Sequence, residues 1–384
     1  MLNDFCQIDE LFSEDELMIQ NIVRDFTNKE IIPIIGDCFE KCIFPKDLVK
    51  KIADLGILGI VTPEQYGGAG MSYTHYGLAM QELERGDSSI RSFCSVQNSL
   101  VMFPILEYGT EEQKNKWLPK LASGECIGCF GLTEADAGSN PAEMLTNAVE
   151  TENGYLLNGS KMWITNGCIA DIAIVWAKLD NKVRGFIVEK GTPGFSTNEI
   201  NHKFSLRASV TSELIFNNCE VKKENILLST GMRAPLSCLT RARYGIAWGV
   251  IGAAMGIYEN TLKYTKDRKQ FGRPIAGFQL TQDKLVWMLT EIIKAQLLNW
   301  RLGKLMDSNK ATPANVSLVK RNNCEIALKI ARVARELHGA NGISNEYDII
   351  RHSLNLESVK TYEGTHEMHT LIVGKEITGE SAFV

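Results

Sequence analysis

The spacing of apolar residues changes along this chain, and that change limits what the chain can fold into. Early in the sequence, apolar residues such as Ile19 and Val23 follow a capping box at residues 13–16 with helical spacing. From Cys126 onward, short β-like runs alternate with turn signals, for example a run at 155–157 followed by Asn158-Gly159. The chain therefore begins as helices and continues as a sheet.

Long helical patterns return after residue 236, near 236–267, 277–307 and 313–338, and such lengths are typical of a helix bundle. The sequence predicts an α+β multi-domain protein. Its parts are an N-terminal all-α domain (residues 1–125), a middle antiparallel β-barrel or sandwich domain (126–235) and a C-terminal α-helical bundle domain (236–384).

Composition narrows the class of protein. The chain has 384 residues, of which 44% are hydrophobic and 23% charged, and its net charge is −5. This balance gives no broad electrostatic reason to bind nucleic acid or a membrane surface. The sequence has no secretory signal pattern and no apolar run long enough to cross a bilayer. We expect a protein of a bacterial-type cytoplasm, or of the mitochondrial matrix if a transit peptide was removed.

The ten cysteines form no disulfide framework, which favours reduced thiols. Cys126 and Cys129 form a CxxC, but they lie in a predicted strand, where residues three apart point to opposite faces. Glu363, His366 and His369 drift around a helix instead of sharing one face. We therefore predict no metal site.

The stretch from 361 to 366 carries a carboxylate followed at once by glycine, Glu363-Gly364. Glycine leaves the backbone beside the carboxylate open to a ligand. Glu363 can then act as a general base while nearby amides hold an oxyanion. The alternative is a helix C-terminus with a solvated acid, because glycine is common there.

Other segments offer ligand contacts. Residues 131–139 follow a predicted strand and carry donors, but lack the spacing of a P-loop or a dinucleotide fingerprint, so a nicotinamide cofactor is not indicated. Trp163 can cover an aromatic cofactor, and Arg268 is suited to a diphosphate. Two glycines after the last long helix, the first of them Gly339, can expose amides to a phosphate. The alternatives are ordinary turns, a Trp in the sheet core and a solvated Arg.

Taken together, residues 130–139, 163–165, 241–249, 267–272 and 361–366 resemble the acyl-CoA dehydrogenase family, most closely its glutaryl-CoA dehydrogenase branch. The resemblance implies a homotetramer built as a dimer of dimers, with FAD between the middle and C-terminal domains and in contact with a neighbouring subunit. It assigns cofactor contacts to Phe130, Leu132, Thr133, Ser139, Trp163, Ile164, Thr165, Arg268, Gln279, Gly339, Thr365 and Phe383.

The resemblance also implies the chemistry. Glu363 removes the α-proton of an acyl-CoA thioester while hydride leaves the β-carbon for the flavin. The Glu363 amide and a flavin hydroxyl stabilise the thioester oxygen. Ser139 and Arg243 match positions that contact the thioester, and Tyr362 and Gly364 are assigned to the substrate as well.

A dicarboxylic acyl chain needs a cation at the closed end of the pocket. On a helix, Arg91 and Ser95 are one turn apart and can reach one carboxylate, and Ser92 joins the predicted substrate set. Glu84 shares that face if the helix runs through Gly86; otherwise Asp87 caps a new helix and Glu84 lies on the preceding one. The alternative is an Arg91–Glu84 salt bridge without a ligand.

The glutaryl branch implies oxidation of glutaryl-CoA and decarboxylation to crotonyl-CoA and CO2, a step of lysine and tryptophan degradation, with electrons passed to electron-transfer flavoprotein. The alternatives are a non-decarboxylating glutaryl-CoA dehydrogenase, a short-chain monocarboxylic acyl-CoA dehydrogenase, an acyl-CoA oxidase, or an FAD-binding structural protein without turnover. Asn140, where the family usually has Asp, and Ala340, where it has Gly or Ser, depart from the pattern and put local loop geometry in doubt.

Overall fold

The computed structural model describes residues 5–383, and the part before the sheet is helical. π-helical segments at Thr27–Ile31 and Val96–Met102 join helices that would otherwise be separate. The α-helices of this part are α1 (Glu14–Phe26), α2 (Ile32–Lys41), α3 (Asp47–Asp54), α4 (Tyr73–Gly86), α5 (Ser88–Ser95), α6 (Phe103–Tyr108) and α7 (Glu111–Ala122).

A seven-stranded sheet follows, in the order β1-β4-β2-β3-β7-β6, with β5 on the other edge of β4. Its strands are β1 (Gly128–Gly131), β2 (Asn147–Thr151), β3 (Gly154–Thr165), β4 (Ile172–Leu179), β5 (Lys182–Glu189), β6 (Phe195–Glu199) and β7 (Thr211–Lys222). The predicted β domain is confirmed, but the sheet is mixed and not purely antiparallel. Strand β4 runs parallel to β1 through Gly128 and Ile172, and parallel to β2 through Asn147 and Lys178.

Both faces of the sheet are covered, which explains the nearly continuous apolar run in β4. Trp176 and Ile174 belong to the core shared with α7 and the neighbouring helices, whereas Val175 and Phe186 belong to the core inside the sheet domain. A strand buried on both faces needs apolar residues at successive positions.

One predicted turn is wrong. Asn158-Gly159 does not end a strand, because β3 continues to Thr165 and its register against β7 shifts between Leu157 and Gly159. Gly159 has φ 137, and a Cβ there would lie 2.6 Å from Thr146 Oγ1. The glycine therefore permits a β-bulge inside a long strand.

The last part is a helical bundle, as predicted. Its helices are α8 (Arg233–Asp267), α9 (Gln279–Asp307), α10 (Pro313–Leu337), α11 (Ile349–Thr361) and α12 (His366–Thr378), with a small hairpin of β8 (Lys269–Gln270) and β9 (Arg273–Pro274). Within residues 5–383, no helix has the length and apolar character that crossing a bilayer requires.

Helix α8 packs directly on α4 of the N-terminal part through a row of glycines. A Cβ on Gly252 would lie 1.7 Å from the carbonyl oxygen of Gln81, and one on Gly245 would lie 2.6 Å from the Tyr76 hydroxyl. This close approach ties the two helical parts together beside the segment that carries Arg91.

Candidate active site

The Glu363 loop, residues 362–365, connects α11 to α12. Glu363 has φ 55 and Gly364 has φ 100, so two successive residues adopt the left-handed region. For Glu363 this conformation is costly and must be held by its surroundings. Thr365 caps the next helix by accepting the Met368 amide. The loop therefore has a defined conformation that ends in the cap of α12.

Two buried cations hold the carbonyls of this loop. Lys320 Nζ donates to Tyr362 O at 2.5 Å and to Gly364 O at 2.8 Å. Arg243 Nε donates to Glu363 O at 2.6 Å. Three successive carbonyl oxygens therefore accept hydrogen bonds from cationic side chains, which compensates the strained backbone.

Sequence reasoning included Arg243 but missed Lys320. The lysine lies on α10 and is 1% exposed. It shares the buried face of that helix with Val316, Val319 and Asn323. A lysine at helical spacing among apolar positions was the signal that could have identified it.

The Glu363 carboxylate is poised to accept a proton. Its Oε2 is buried and has no hydrogen-bond partner among the described residues. Burial raises the pKa of Glu363, while the positive charges of Lys320, Arg91 and Arg243 act in the opposite direction. A carboxylate with a raised pKa and an unused oxygen has the properties of a general base.

Arg91 lies at the other side of Tyr362, fully buried at 0% exposure. Its Nε donates to Glu84 Oε2 at 2.5 Å, and its Nη2 donates to the Tyr362 hydroxyl at 2.5 Å. Its Nη1 has no partner within the described chain. The salt bridge to Glu84 therefore forms, yet it leaves part of the guanidinium free for an anion.

Of the two possibilities raised by the sequence, the structure has the one in which a new helix begins before Arg91. Asp87 caps α5 by accepting the Ser89 amide at 2.7 Å, so Glu84 lies on the preceding helix, α4. Ser95 is one turn beyond Arg91, and its buried hydroxyl has no partner in residues 5–383. Ser92 is buried as well.

Gly249 of α8 makes room for the Arg91–Glu84 pair. A Cβ at this position would lie 2.1 Å from Glu84 Oε2 and 3.0 Å from Arg91 Nε. The backbone of α8 therefore forms one wall of this polar cluster.

The loop after β1 is fixed by a buried ion pair. Lys161 Nζ donates to Glu134 Oε1 at 2.7 Å and to Leu132 O at 3.0 Å, and burial lowers the pKa of Lys161 to about 8. The backbone of Thr133 accepts the Met162 amide at 2.9 Å. Phe130 is buried, while Ser139 and Asn140 are exposed.

Trp163 is not a sheet-core residue. It is 61% exposed and has φ 63, whereas Ile164 after it is buried and Thr165 is half-buried. A large aromatic side chain presented to solvent from a constrained backbone is typical of a contact surface. The core alternative for Trp163 is wrong.

A pocket of about 310 Å³ lies where α8 and α10 end. Arg268, Gly339 and Ala340 line it, together with His338, which stacks on Tyr264 at 4.2 Å. Arg268 has no acidic partner in the described part of the chain, so its guanidinium is free for a ligand. Gln279 and Phe383 are exposed and lie outside this lining.

Metal-ligand side chains do not converge anywhere in residues 5–383: no group of three or more His, Cys, Asp or Glu is placed to hold an ion. The polar clusters described above are hydrogen-bond networks within the chain, and they include donors and acceptors without a partner among the described residues.

Comparison with known proteins covers nearly the whole chain. Family models described as the N-terminal, middle and C-terminal domains of acyl-CoA dehydrogenase match residues 13–125, 129–219 and 229–378. A crystal structure of a glutaryl-CoA dehydrogenase from Mycobacterium smegmatis in complex with FADH2 is 49% identical, with a TM-score of 0.98 and 99% of each chain covered.

Two sequence relatives are similar over comparable lengths. A short-chain specific acyl-CoA dehydrogenase from mitochondria of Rattus norvegicus is 35% identical over 367 residues, which are 94% of this chain and 89% of the relative. An acyl-CoA dehydrogenase from Bacillus subtilis is 37% identical over 374 residues, which are 96% of this chain and 99% of the relative. With successive domain models matched in the same order and a relative of this identity along almost its full length, the chain belongs to the acyl-CoA dehydrogenase family.

Proposed function

We propose that this chain oxidises glutaryl-CoA and decarboxylates the product to crotonyl-CoA and CO2, using FAD and passing electrons to electron-transfer flavoprotein. The observation that carries the substrate assignment is the buried Arg91 with an unpaired Nη1, hydrogen-bonded to the tyrosine that precedes Glu363. The similarity to the Mycobacterium smegmatis glutaryl-CoA dehydrogenase supports the same assignment.

The residues present fit FAD. The exposed indole of Trp163 and the half-buried Thr165 suit an aromatic ring system, and the free Arg268 guanidinium beside Gly339 suits a diphosphate. When bound, FAD would supply the acceptor for the hydride that leaves the substrate.

A homotetramer is part of the proposal. Phe271, in the turn of the hairpin that follows Arg268, is 94% exposed, and Leu280, at the start of α9, is 82% exposed. Large apolar side chains at such exposure are expected to be covered by a neighbouring subunit.

The proposed reaction assigns Glu363 two proton transfers. Its unpaired Oε2 accepts the α-proton of the thioester, whose acidity depends on donors that stabilise the charge developing on the thioester oxygen. After loss of CO2, the protonated Glu363 returns a proton to the remaining dienolate.

Arg91 would hold the far carboxylate through Nη1 while Glu84 and Tyr362 occupy Nε and Nη2. Sharing the guanidinium in this way limits how strongly the carboxylate is bound. Since tight binding of the charged ground state would slow decarboxylation, the shared arrangement favours release of CO2 over arrest at glutaconyl-CoA.

The second candidate is a short-chain monocarboxylic substrate, which the 35% identical rat relative favours. A monocarboxylic chain would leave Arg91 Nη1 buried and unpaired. A buried donor without a partner is costly, so a dicarboxylate suits the surroundings of Arg91 better.

The central experiment is anaerobic mixing of the holoenzyme with glutaryl-CoA, followed by flavin absorbance and product mass. We expect flavin bleaching and crotonyl-CoA; glutaconyl-CoA as the end product would contradict the decarboxylation. Turnover that produces peroxide without electron-transfer flavoprotein would instead indicate an oxidase.

Substitution of Arg91 tests the substrate class. We expect Arg91→Met to lower kcat/KM for glutaryl-CoA about 100-fold, because a charged hydrogen-bond partner is lost, and to change that for butyryl-CoA much less. Arg85→Met is the matched control. Arg85 is also a buried arginine, but its ion pair, with Glu82 at 3.0 Å, lies outside the candidate site. Equal losses with both substrates would contradict the dicarboxylate assignment.

A further inference from the structure

Lys320 is a buried cation without an acidic partner. In residues 5–383 its Nζ makes hydrogen bonds to the carbonyl oxygens of Tyr362 and Gly364, and it forms no salt bridge. Burial lowers the pKa of Lys320 to about 8, so holding a charge there is costly. Its charge also acts on Glu363, and both of its hydrogen bonds go to the carbonyls on either side of Glu363.

The geometry of the peptide unit links one of these hydrogen bonds to the Glu363 amide. In a trans peptide the carbonyl oxygen and the following N–H point in opposite directions. The oxygen of Tyr362 and the amide of Glu363 belong to one peptide unit, so the bond from Lys320 to that oxygen turns the Glu363 amide away from α10. This amide donates no hydrogen bond to any residue between 5 and 383.

Lys320 also holds the part of the loop that follows Glu363. Its second bond, to Gly364 O, spans the two residues with positive φ, so one ammonium group holds both ends of the strained segment. A hydrogen bond to the carbonyl also polarises the peptide and makes its N–H a stronger donor.

We propose that Lys320 is a positioning residue of the reaction: it directs and polarises the Glu363 amide so that this amide can donate to the thioester oxygen. This inference rests on the proposed acyl-CoA chemistry, but it does not depend on whether the acyl chain is monocarboxylic or dicarboxylic. Removing a single donor to a developing oxyanion typically costs about 100-fold or more in rate, and misdirecting the donor is expected to cost part of that.

The test uses acetoacetyl-CoA, whose acidic α-position lets it bind as an enolate without turnover. Holoenzyme and variants are titrated at one pH, and the ultraviolet absorbance of the bound enolate is recorded with the dissociation constant. We expect Lys320→Met to retain flavin, to bind acetoacetyl-CoA at least about tenfold more weakly and to show a smaller enolate signal. With a turnover substrate, kcat falls while KM changes little, because the amide is needed most in the transition state.

Lys329→Met is the matched control. Lys329 lies on the same helix, is 54% exposed and pairs with Glu325, so the same substitution there should leave the enolate signal unchanged. Lys320→Arg, which keeps charge and donors, should recover part of the signal. If Lys320→Met fails to fold, Lys320→Gln, whose shorter amide can reach at most one carbonyl, should give an intermediate loss.

Wild-type affinity and enolate signal in Lys320→Met, or in Lys320→Gln where that variant replaces it, would overturn the inference. Loss of affinity with an unchanged enolate fraction would also overturn it, since a merely structural role predicts that result. Failure of the wild type to oxidise any acyl-CoA would instead overturn the proposed function.

Discussion

At the scale of single residues, the candidate site balances burial against charge. Burial favours the neutral form of Glu363, whereas Arg91, Arg243 and Lys320 favour the anion. The first effect prevails, so the pKa lies above that of an ordinary glutamate. Such a carboxylate is easily neutralised in acid but can still give its proton back at the end of a reaction.

This balance leads to a prediction about pH. The proposed reaction needs the Glu363 carboxylate ionised. The rate of flavin bleaching should therefore fall as pH drops through the raised pKa, at a higher pH than an unperturbed glutamate would give. The measurement is the pre-steady-state bleaching rate against pH. The charged and titratable groups that act on Glu363 are Lys320, Arg91, Arg243, Tyr362 and Tyr76. The three cations stay charged through the acid range, and the two tyrosines, whose pKa values are raised, stay neutral.

Glu363→Gln is the control for this profile. The amide cannot accept the α-proton, so we expect a coloured flavoprotein whose bleaching slows by a factor of about 100 or more and no longer depends on pH in this range. Bleaching at the wild-type rate would place the base elsewhere.

Most residues of the proposed site could be predicted from the sequence. Glu363 could be predicted because a short motif carries it, and Arg91 and Ser95 because helical spacing groups them. Glu84 lies on the preceding helix, so it was predicted only as a residue near Arg91. Lys320 could not be chosen with the same ease, since a lysine in an amphipathic helix usually lies on the solvated face. Its helical spacing shows only that it shares a face with apolar residues. Its partners in the Glu363 loop come from a tertiary contact, which the spacing does not reveal.

At the scale of elements, the glycines of α8 decide how closely the two helical parts approach. We expect Gly252→Ala to destabilise the protein by about 2 kcal/mol or more, because its Cβ would meet the backbone of α4 and not a movable side chain. Chemical denaturation of the holoenzyme measures the effect.

Gly374→Ala on α12 is the matched control. A Cβ at Gly374 meets nothing within 4 Å, so there the better helix propensity of alanine should leave stability unchanged or raise it by up to about 1 kcal/mol. Similar losses in both variants would contradict the packing argument.

Element boundaries show where sequence patterns stop being sufficient. Helix α7 begins at Glu111, after a capping box of Thr110 and Gln113, and ends at Ala122. Asn158-Gly159, by contrast, resembles a hairpin turn in sequence and is a bulge in the structure. The dipeptide allows both conformations. The choice depends on Thr146 lying against Gly159 and on β7 continuing alongside β3, which are non-local contacts.

At the scale of the whole molecule, buried thiols are a common feature. Burial raises the pKa of Cys126, Cys219 and Cys238 to about 12 and that of Cys324 to about 11, and raises those of Cys94 and Cys129 as well. The folded pKa thus exceeds the unfolded one. The stabilisation from these groups is complete below the unfolded thiol pKa and is lost as pH rises through the folded values.

We therefore expect the melting temperature, measured with reductant present, to fall between about pH 8 and about pH 10.5. Lys161 and Lys320 oppose this decline. Their folded pKa of about 8 lies below the unfolded value, so their contribution to stability increases as pH rises. The thiols are more numerous, so the net stability falls. Each thiol that ionises only on unfolding removes about 1.4 kcal/mol per pH unit.

A variant checks the origin of this decline. Cys219→Ala removes one thiol from the buried side of β7 and should make the fall with pH shallower. A melting temperature that stays level or rises over the same range would contradict the thiol argument.

Helix α8 has one more consequence for the proposed reaction. Arg243 touches the Glu363 loop and Gly249 lies against the Arg91–Glu84 pair, and both belong to the same rigid rod. Six residues of α-helix span about 9 Å and cannot stretch. In the proposed reaction, α8 would therefore fix the distance between the far-end charge of the acyl chain and the carbon that loses its proton. A diacid one carbon longer or shorter could not place its far carboxylate at Arg91 and its α-carbon at Glu363 at the same time.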